Sequence, residues 1–185
     1  MGRPLVVVVS GSPGAGKTTL GRRVAQEVGL PFFHKDGLKE TLFDALGWSD
    51  RAWSQRIGAA SFALLKHIMA AQLAAGQSFV VEANFRPEYD TATFQAMQAR
   101  YPFTPLQIHC TADDETLLRR FLARAATDER HPGHVELANV DEWRERVSGA
   151  GYAPLDLGGA VYQVDTTDFT RVNVASLVGA VHAAL

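Results

Sequence analysis

Short apolar runs alternate with longer stretches of helical spacing along the whole chain. Leu5-Val6-Val7-Val8-Val9 is an unbroken apolar run, which reads as a strand covered on both faces. A helix follows from about Lys17 to Val28, stopped by Gly29 and Pro31. Phe32-Phe33-His34 reads as a short second strand, and Asp36-Gly37 opens a short helix over Leu38–Leu42. The spacing predicts a long helix from about Asp50 to Ala75 with Gly76 as its stop, then a third strand over Ser78–Ala83. Pro87–Arg100 is the next helix and Leu106–Cys110 the fourth strand. Thr111 is the expected N-cap of a helix with an acidic first turn, Asp113-Asp114-Glu115. Val161–Val164 is the fifth strand and Val172–Ala184 the last helix. Strands alternating with helices imply an α/β fold, a parallel sheet with helices on both faces.

Between the first strand and first helix lies Gly11-Ser12-Pro13-Gly14-Ala15-Gly16-Lys17-Thr18, the pattern G-x-x-x-x-G-K-T. Consecutive backbone N–H groups must curl around phosphate oxygens, and side chains in such a loop would block the approach. Glycines at 11, 14 and 16 keep it open. In this motif Lys17 bridges the β- and γ-phosphates and Thr18 offers its hydroxyl to Mg²⁺. Thr19 belongs to the same helix start, whose N-terminal partial charge faces the anion. The expected ligands are therefore a nucleoside triphosphate, ATP in the simplest case, and Mg²⁺.

The bulk numbers narrow the partners. A length of 185 residues fits one domain, and 46% hydrophobic with 21% charged residues is an ordinary globular balance. The net charge of −2 provides no broad field for nucleic acid or an anionic membrane, so neither is expected as a partner. Ala59–Ala75 is apolar but carries Lys66, His67 and Gln72 and reads as a packed helix. The lone Cys110 lies in an apolar run, and with no targeting segment visible the expected location is cytoplasmic.

Ligands collect at the carboxyl ends of parallel strands, where His34–Asp36 and Glu82–Arg86 fall. Asp36 admits two readings: a carboxylate accepting a proton from an acceptor hydroxyl, or a cap for the helix after it. Arg120 and Arg124 share a helical face at i, i+4 spacing and suit a triphosphate. His109, His131 and His134 have no carboxylate or cysteine set at metal-ligand spacing, and no G-x-S-x-G nucleophile elbow occurs.

Together, G-S-P-G-A-G-K-T-T-L, H-K-D-G-L-K-E, V-V-E-A-N-F and R-x-x-x-R…R-H-P-G-H resemble the P-loop kinase superfamily of small phosphotransferases. Chloramphenicol phosphotransferase, zeta-toxin kinases, gluconate kinase, shikimate kinase and bacterial AAA-family ATPases are among the relatives. The resemblance spans nearly the whole chain, residues 1–185, as a single three-layer domain. It implies a five-stranded parallel sheet ordered 2-3-1-4-5 and a lid over about residues 119–135. It also implies Asp36 as the catalytic base, and Arg124 and Arg130 as lid groups neutralising transferred charge. Arg120 and the Thr166 loop would border the adenine, while Arg119 belongs to a solvated face. Glu82 falls where the family ends strand three in a polar group, serving either Mg²⁺ or the acceptor. A dedicated Walker-B aspartate is not evident, because strand four ends in His109-Cys110-Thr111.

The acceptor pocket should be bordered by His34, Asn84 and Arg86, with aromatics such as Phe33, Trp48, Trp53, Phe85 and Tyr89 split between pocket and core. Arg56 or Arg86 is the candidate for an anionic group on the acceptor. The resulting expectation is an ATP-dependent transfer of the γ-phosphoryl group to a hydroxyl of a small molecule. A nucleotide-dependent regulatory ATPase acting on a protein, and a zeta-toxin-like nucleotide-sugar kinase, are the alternatives.

Overall fold

The computed structural model describes residues 2–125, 127, 130–135 and 152–185. Five strands form one sheet: β1 (Leu5–Gly11), β2 (Phe32–His34), β3 (Phe79–Glu82), β4 (Thr104–Thr111) and β5 (Ala160–Asp165). Their order is β2-β3-β1-β4-β5 and every pairing is parallel. The helices are α1 (Lys17–Val28), α2 (Lys35–Leu46), α3 (Arg51–Ala74), α4 (Pro87–Arg100), α5 (Asp114–Ala125) and α6 (Val174–Ala184).

The run of valines in β1 explains the layering. Successive side chains on a strand point to opposite faces. Leu5, Val7 and Val9 pack on one side with Leu20 and Val24 of α1, Leu117 and Phe121 of α5, and Leu177 and Val181 of α6. Val6 and Val8 pack on the other with Leu65, Met69 and Leu73 of α3 and Phe94 of α4. Cys110 is buried in the first cluster, and burial pushes its thiol up to about 12, so it is an inert core residue.

Three local expectations are corrected. The helix after β2 is not confined to 38–42 but runs over Lys35–Leu46, so Asp36 lies within its first turn. Its cap is His34, whose Nδ1 accepts from the Gly37 N–H at 3.0 Å. The cap of α5 is Asp113 rather than Thr111, with Oδ1 accepting from the Thr116 N–H at 2.7 Å; Thr111 is the last residue of β4. By length and composition α3 could cross a membrane, but Ile57, Ser61, Leu65, Met69 and Leu73 form one buried stripe. Three of those residues belong to the core under the sheet.

Candidate active site

The loop after β1 takes the shape its glycines permit. Gly11 has φ 134°, and a Cβ there would stand 2.0 Å from the Cys110 carbonyl oxygen, so only glycine closes β1 onto β4 at this point. Gly16, at φ 70°, starts α1 against the Phe169 ring, 2.9 Å from where a Cβ would sit. Gly11 and Ala15 thus shape the loop from behind, whereas Pro13, Gly14, Gly16, Lys17, Thr18 and Thr19 line the cleft. Lys17 is nearly buried, and its Nζ donates to the Ser12 carbonyl at 2.9 Å. Burial pulls its ammonium below the ordinary lysine value, against an upward pull from Glu82.

Glu82 ends β3, the strand beside β1, in register with Val9. It is 5% exposed, and its Oε2 accepts from the Thr18 hydroxyl at 2.8 Å. The Thr18 hydroxyl and Glu82 carboxylate form a pair of hard oxygen donors, the chemistry Mg²⁺ prefers.

Arg120 fastens the loop from the α5 side. Its Nη2 donates to the Thr166 carbonyl at 2.7 Å and to the Thr167 carbonyl at 3.3 Å, and its Nη1 reaches the Gly14 carbonyl at 3.4 Å. Thr166 is fully buried, its hydroxyl 3.0 Å from the Ala15 carbonyl and 2.9 Å from that of Thr111. Its side chain therefore supports the phosphate loop and does not line the cleft. Arg124, one turn after Arg120, lines the cleft, and Arg119 faces solvent.

Across the cleft, α2 carries the second half of the site. Asp36 pairs with Lys35 at 2.6 Å and with Arg130 at 2.8 Å. Burial alone would raise its carboxyl, but Lys35, Arg130 and His134 outweigh that and hold it well below the usual carboxylate range. Glu40, one turn on, pairs with His134 at 2.9 Å and Arg130 at 3.5 Å. His131 stacks on Phe43 at 5.0 Å and approaches Asp44 at 3.3 Å. The 130–135 segment is thereby docked on α2, and the rest of the expected lid, residues 126, 128 and 129, lies outside the described residues. His109 is occupied with Ser10 at 3.1 Å, on β1 beside it.

Of the expected acceptor residues, His34, Asp36, Glu82 and Asn84 line this cleft. Arg86 does not: it sits at the start of α4, paired with Glu88 at 2.5 Å and lying over the rings of Tyr89 and Tyr152. Arg56 and Trp48 are exposed, and Phe33 packs edge-on against Phe79. Lys35, Lys39, Glu40 and Arg51 line the cleft and escaped the sequence reading. Positions 35 and 39, and 36 and 40, are each four apart, so one helix through Lys35 would have put two lysines and two carboxylates on neighbouring faces. The cleft encloses about 450 Å³, within the usual range for a small-molecule site.

A phosphate loop, an acidic residue ending the neighbouring strand and a 2-3-1-4-5 parallel sheet define the P-loop kinase fold. Residues 6–150 match the model of the AAA domain family, to which the chain belongs. A crystal structure from Chloroflexus aurantiacus J-10-fl, whose description as a kinase is provisional, is 41% identical with a TM-score of 0.89, each chain covered in full. A shikimate kinase from Paracidovorax citrulli is 34% identical over 87 residues, which span 47% of this chain and 42% of that enzyme. The Mycobacterium tuberculosis APS kinase CysC shares the fold at 16% identity and a TM-score of 0.60, covering 100% of this chain and 98% of that one.

Proposed function

We propose that this protein transfers the γ-phosphoryl group of ATP to a hydroxyl group of a small molecule. The observation that carries the reading is a single cleft lined by Lys17 and Thr18 on one wall and Asp36 on the other. The bond between the γ-phosphorus and the β–γ bridging oxygen breaks, and a bond from the acceptor oxygen to that phosphorus forms. Asp36, ionised at neutral pH, receives the proton the acceptor hydroxyl gives up. Lys17 and the loop amides hold the β- and γ-phosphates, while Arg124 and Arg130 offset the charge that moves during transfer. Thr18 and Glu82 would hold Mg²⁺, which neutralises phosphate charge when bound.

The Chloroflexus relative, similar over its full length, and the segment shared with a shikimate kinase support a small-molecule kinase. A cleft of about 450 Å³ beside the phosphate loop favours a small acceptor over a protein-bound switch. Closure of the segment around residues 119–135 over the cleft would keep water from competing as acceptor.

Asp36→Asn tests the reading. It is expected to bind AMP-PNP with Mg²⁺ as the parent does, yet to lose acceptor-stimulated ADP release across a panel of hydroxylated metabolites and antibiotics. Parent-like turnover by this variant on any acceptor that the parent phosphorylates removes Asp36 as the base.

A further inference from the structure

The cleft is more cationic than a nucleotide requires. Eight lysines and arginines line it against three carboxylates. On the wall opposite the phosphate loop, Glu40 is hydrogen-bonded to His134, and Asp36 and Glu40 already have cationic partners in Lys35 and Arg130. Lys39 has none. Its Nζ donates to the Ser54 hydroxyl at 2.9 Å and lies 5.2 Å from the centre of the Phe43 ring. No carboxylate among the described residues stands within ion-pair distance of it.

Lys39 is only 7% exposed yet lines the cleft, with Arg51 at the start of α3 lining it as well. An ammonium has three donors, and Ser54 takes one. Burying a cation without a counter-charge costs folding free energy, and burial has pushed this lysine down to about 8, which leaves it mostly charged at pH 7. A buried charge facing a cleft, with donors to spare and no carboxylate among the described residues within ion-pair distance, is arranged for an anion that arrives with a ligand.

We infer that Lys39, together with Arg51, seats an oxyanion group of the acceptor, a carboxylate or a phosphate ester, so that the acceptor is a hydroxylated anion. The inference rests on the phosphotransferase reading of the cleft and narrows its substrate class. The anion anchors at Lys39 on α2, one helical turn from Asp36 on the same helix, where the acceptor hydroxyl must come. A neutral polyol would leave the Lys39 charge buried and unpaired.

The test follows Lys39 itself. Protein labelled with ¹³C at lysine Cε is saturated with AMP-PNP and Mg²⁺ at pH 7, which fills the phosphate loop. Inorganic phosphate and acetate are then titrated separately at constant ionic strength. The Lys39 resonance is assigned by its loss in Lys39→Met, or in Lys39→Arg should the first variant not fold. A saturable shift of that resonance is expected with at least one anion, weakened about tenfold or more in Arg51→Gln. A response to phosphate alone assigns a phosphate ester, and a response to acetate alone a carboxylate. No saturable shift with either anion overturns the inference. Calorimetry of AMP-PNP binding reports separately on the phosphotransferase reading, and the Lys39 signal is local enough to stand whichever way that measurement falls.

Discussion

Arg130 places its Nη1 2.8 Å from Oδ2 of Asp36, so the proposed base is ion-paired to a residue far along the chain that docks on α2. The pairing has two consequences. It keeps Asp36 ionised, and it ties the 130–135 segment to the acceptor wall rather than to the phosphate loop. Arg130 stands 14% exposed with Glu40 also within reach at 3.5 Å, so the guanidinium spans two carboxylates one helical turn apart.

The ionisation of Asp36 should depend on that contact. Burial opposes the charged form, and Lys35 and Arg130 overcome it. Arg130→Gln removes one of the cations that hold Asp36 ionised, so its carboxyl should titrate higher than in the parent, read from the ¹³Cγ resonance of labelled aspartate. Because the folded-state value is depressed, Asp36 stabilises the fold above the unfolded aspartate value and loses that contribution as pH falls through the folded one. Arg130→Gln should therefore lose stability near neutral pH and show a weaker dependence on acid. An unchanged Asp36 titration would mean that its charge is held without Arg130.

Glu82 can be assigned to metal or acceptor by a split in kinetics. Its Oε2 accepts from the Thr18 hydroxyl, on the nucleotide side of the cleft. Glu82→Gln is therefore expected to raise the Mg²⁺ concentration needed for half-maximal nucleotide binding about tenfold or more, as loss of an orienting carboxylate does at metal sites. The acceptor KM should stay put. A variant that raises the acceptor KM and leaves the Mg²⁺ dependence alone would move Glu82 to the acceptor side.

Arg120 is expected to act through the loop it braces. One planar guanidinium reaches carbonyls of Gly14, Thr166 and Thr167, a fork that lysine cannot reproduce. Arg120→Lys should weaken AMP-PNP binding about tenfold and lower the melting temperature by a few degrees. Arg119→Ala, one residue away but exposed, should change neither. Equal effects from the two variants would show that only net charge on α5 matters.

Much of the architecture was legible because it rests on local pattern. A five-residue apolar run, glycines at 11, 14 and 16, and Gly29 or Gly76 after helical spacing each constrain the backbone without reference to the rest of the chain. Asp36 and Glu82 were legible for a second reason, since parallel strands deliver their C-terminal residues to one edge. What did not show was lateral. That Glu82 faces Thr18 depends on β3 lying beside β1 across 64 residues of sequence, and that Arg130 lands on Asp36 depends on a docking no periodicity encodes. Lys39 was hidden by the shortened reading of α2, because a lysine on an amphipathic helix is ordinarily solvated. Arg86 shows the converse: at the right strand end, it is held instead by Glu88, Tyr89 and Tyr152.

Lys39 should also be a residue that the fold is more stable without. Its folded-state value, about 8, lies below the 10.5 of a solvated lysine. Between those values the unfolded chain binds a proton that the folded one has released, so stability due to this group rises with pH across that window. Below about pH 8 both states hold the proton and the whole penalty, of order 3 kcal/mol, is present. Lys39→Met keeps the aliphatic stem and removes the buried charge, so the melting temperature of the ligand-free protein at pH 7 should rise by several degrees. Subtracting the variant's stability curve from the parent's should leave a slope confined to about pH 8 to 10.5, whatever other groups titrate there. The same variant should bind phosphate or acetate more weakly, the trade expected where a charge is retained for a ligand. A lysine that merely braces Ser54 would give the opposite first result: its loss would lower the melting temperature.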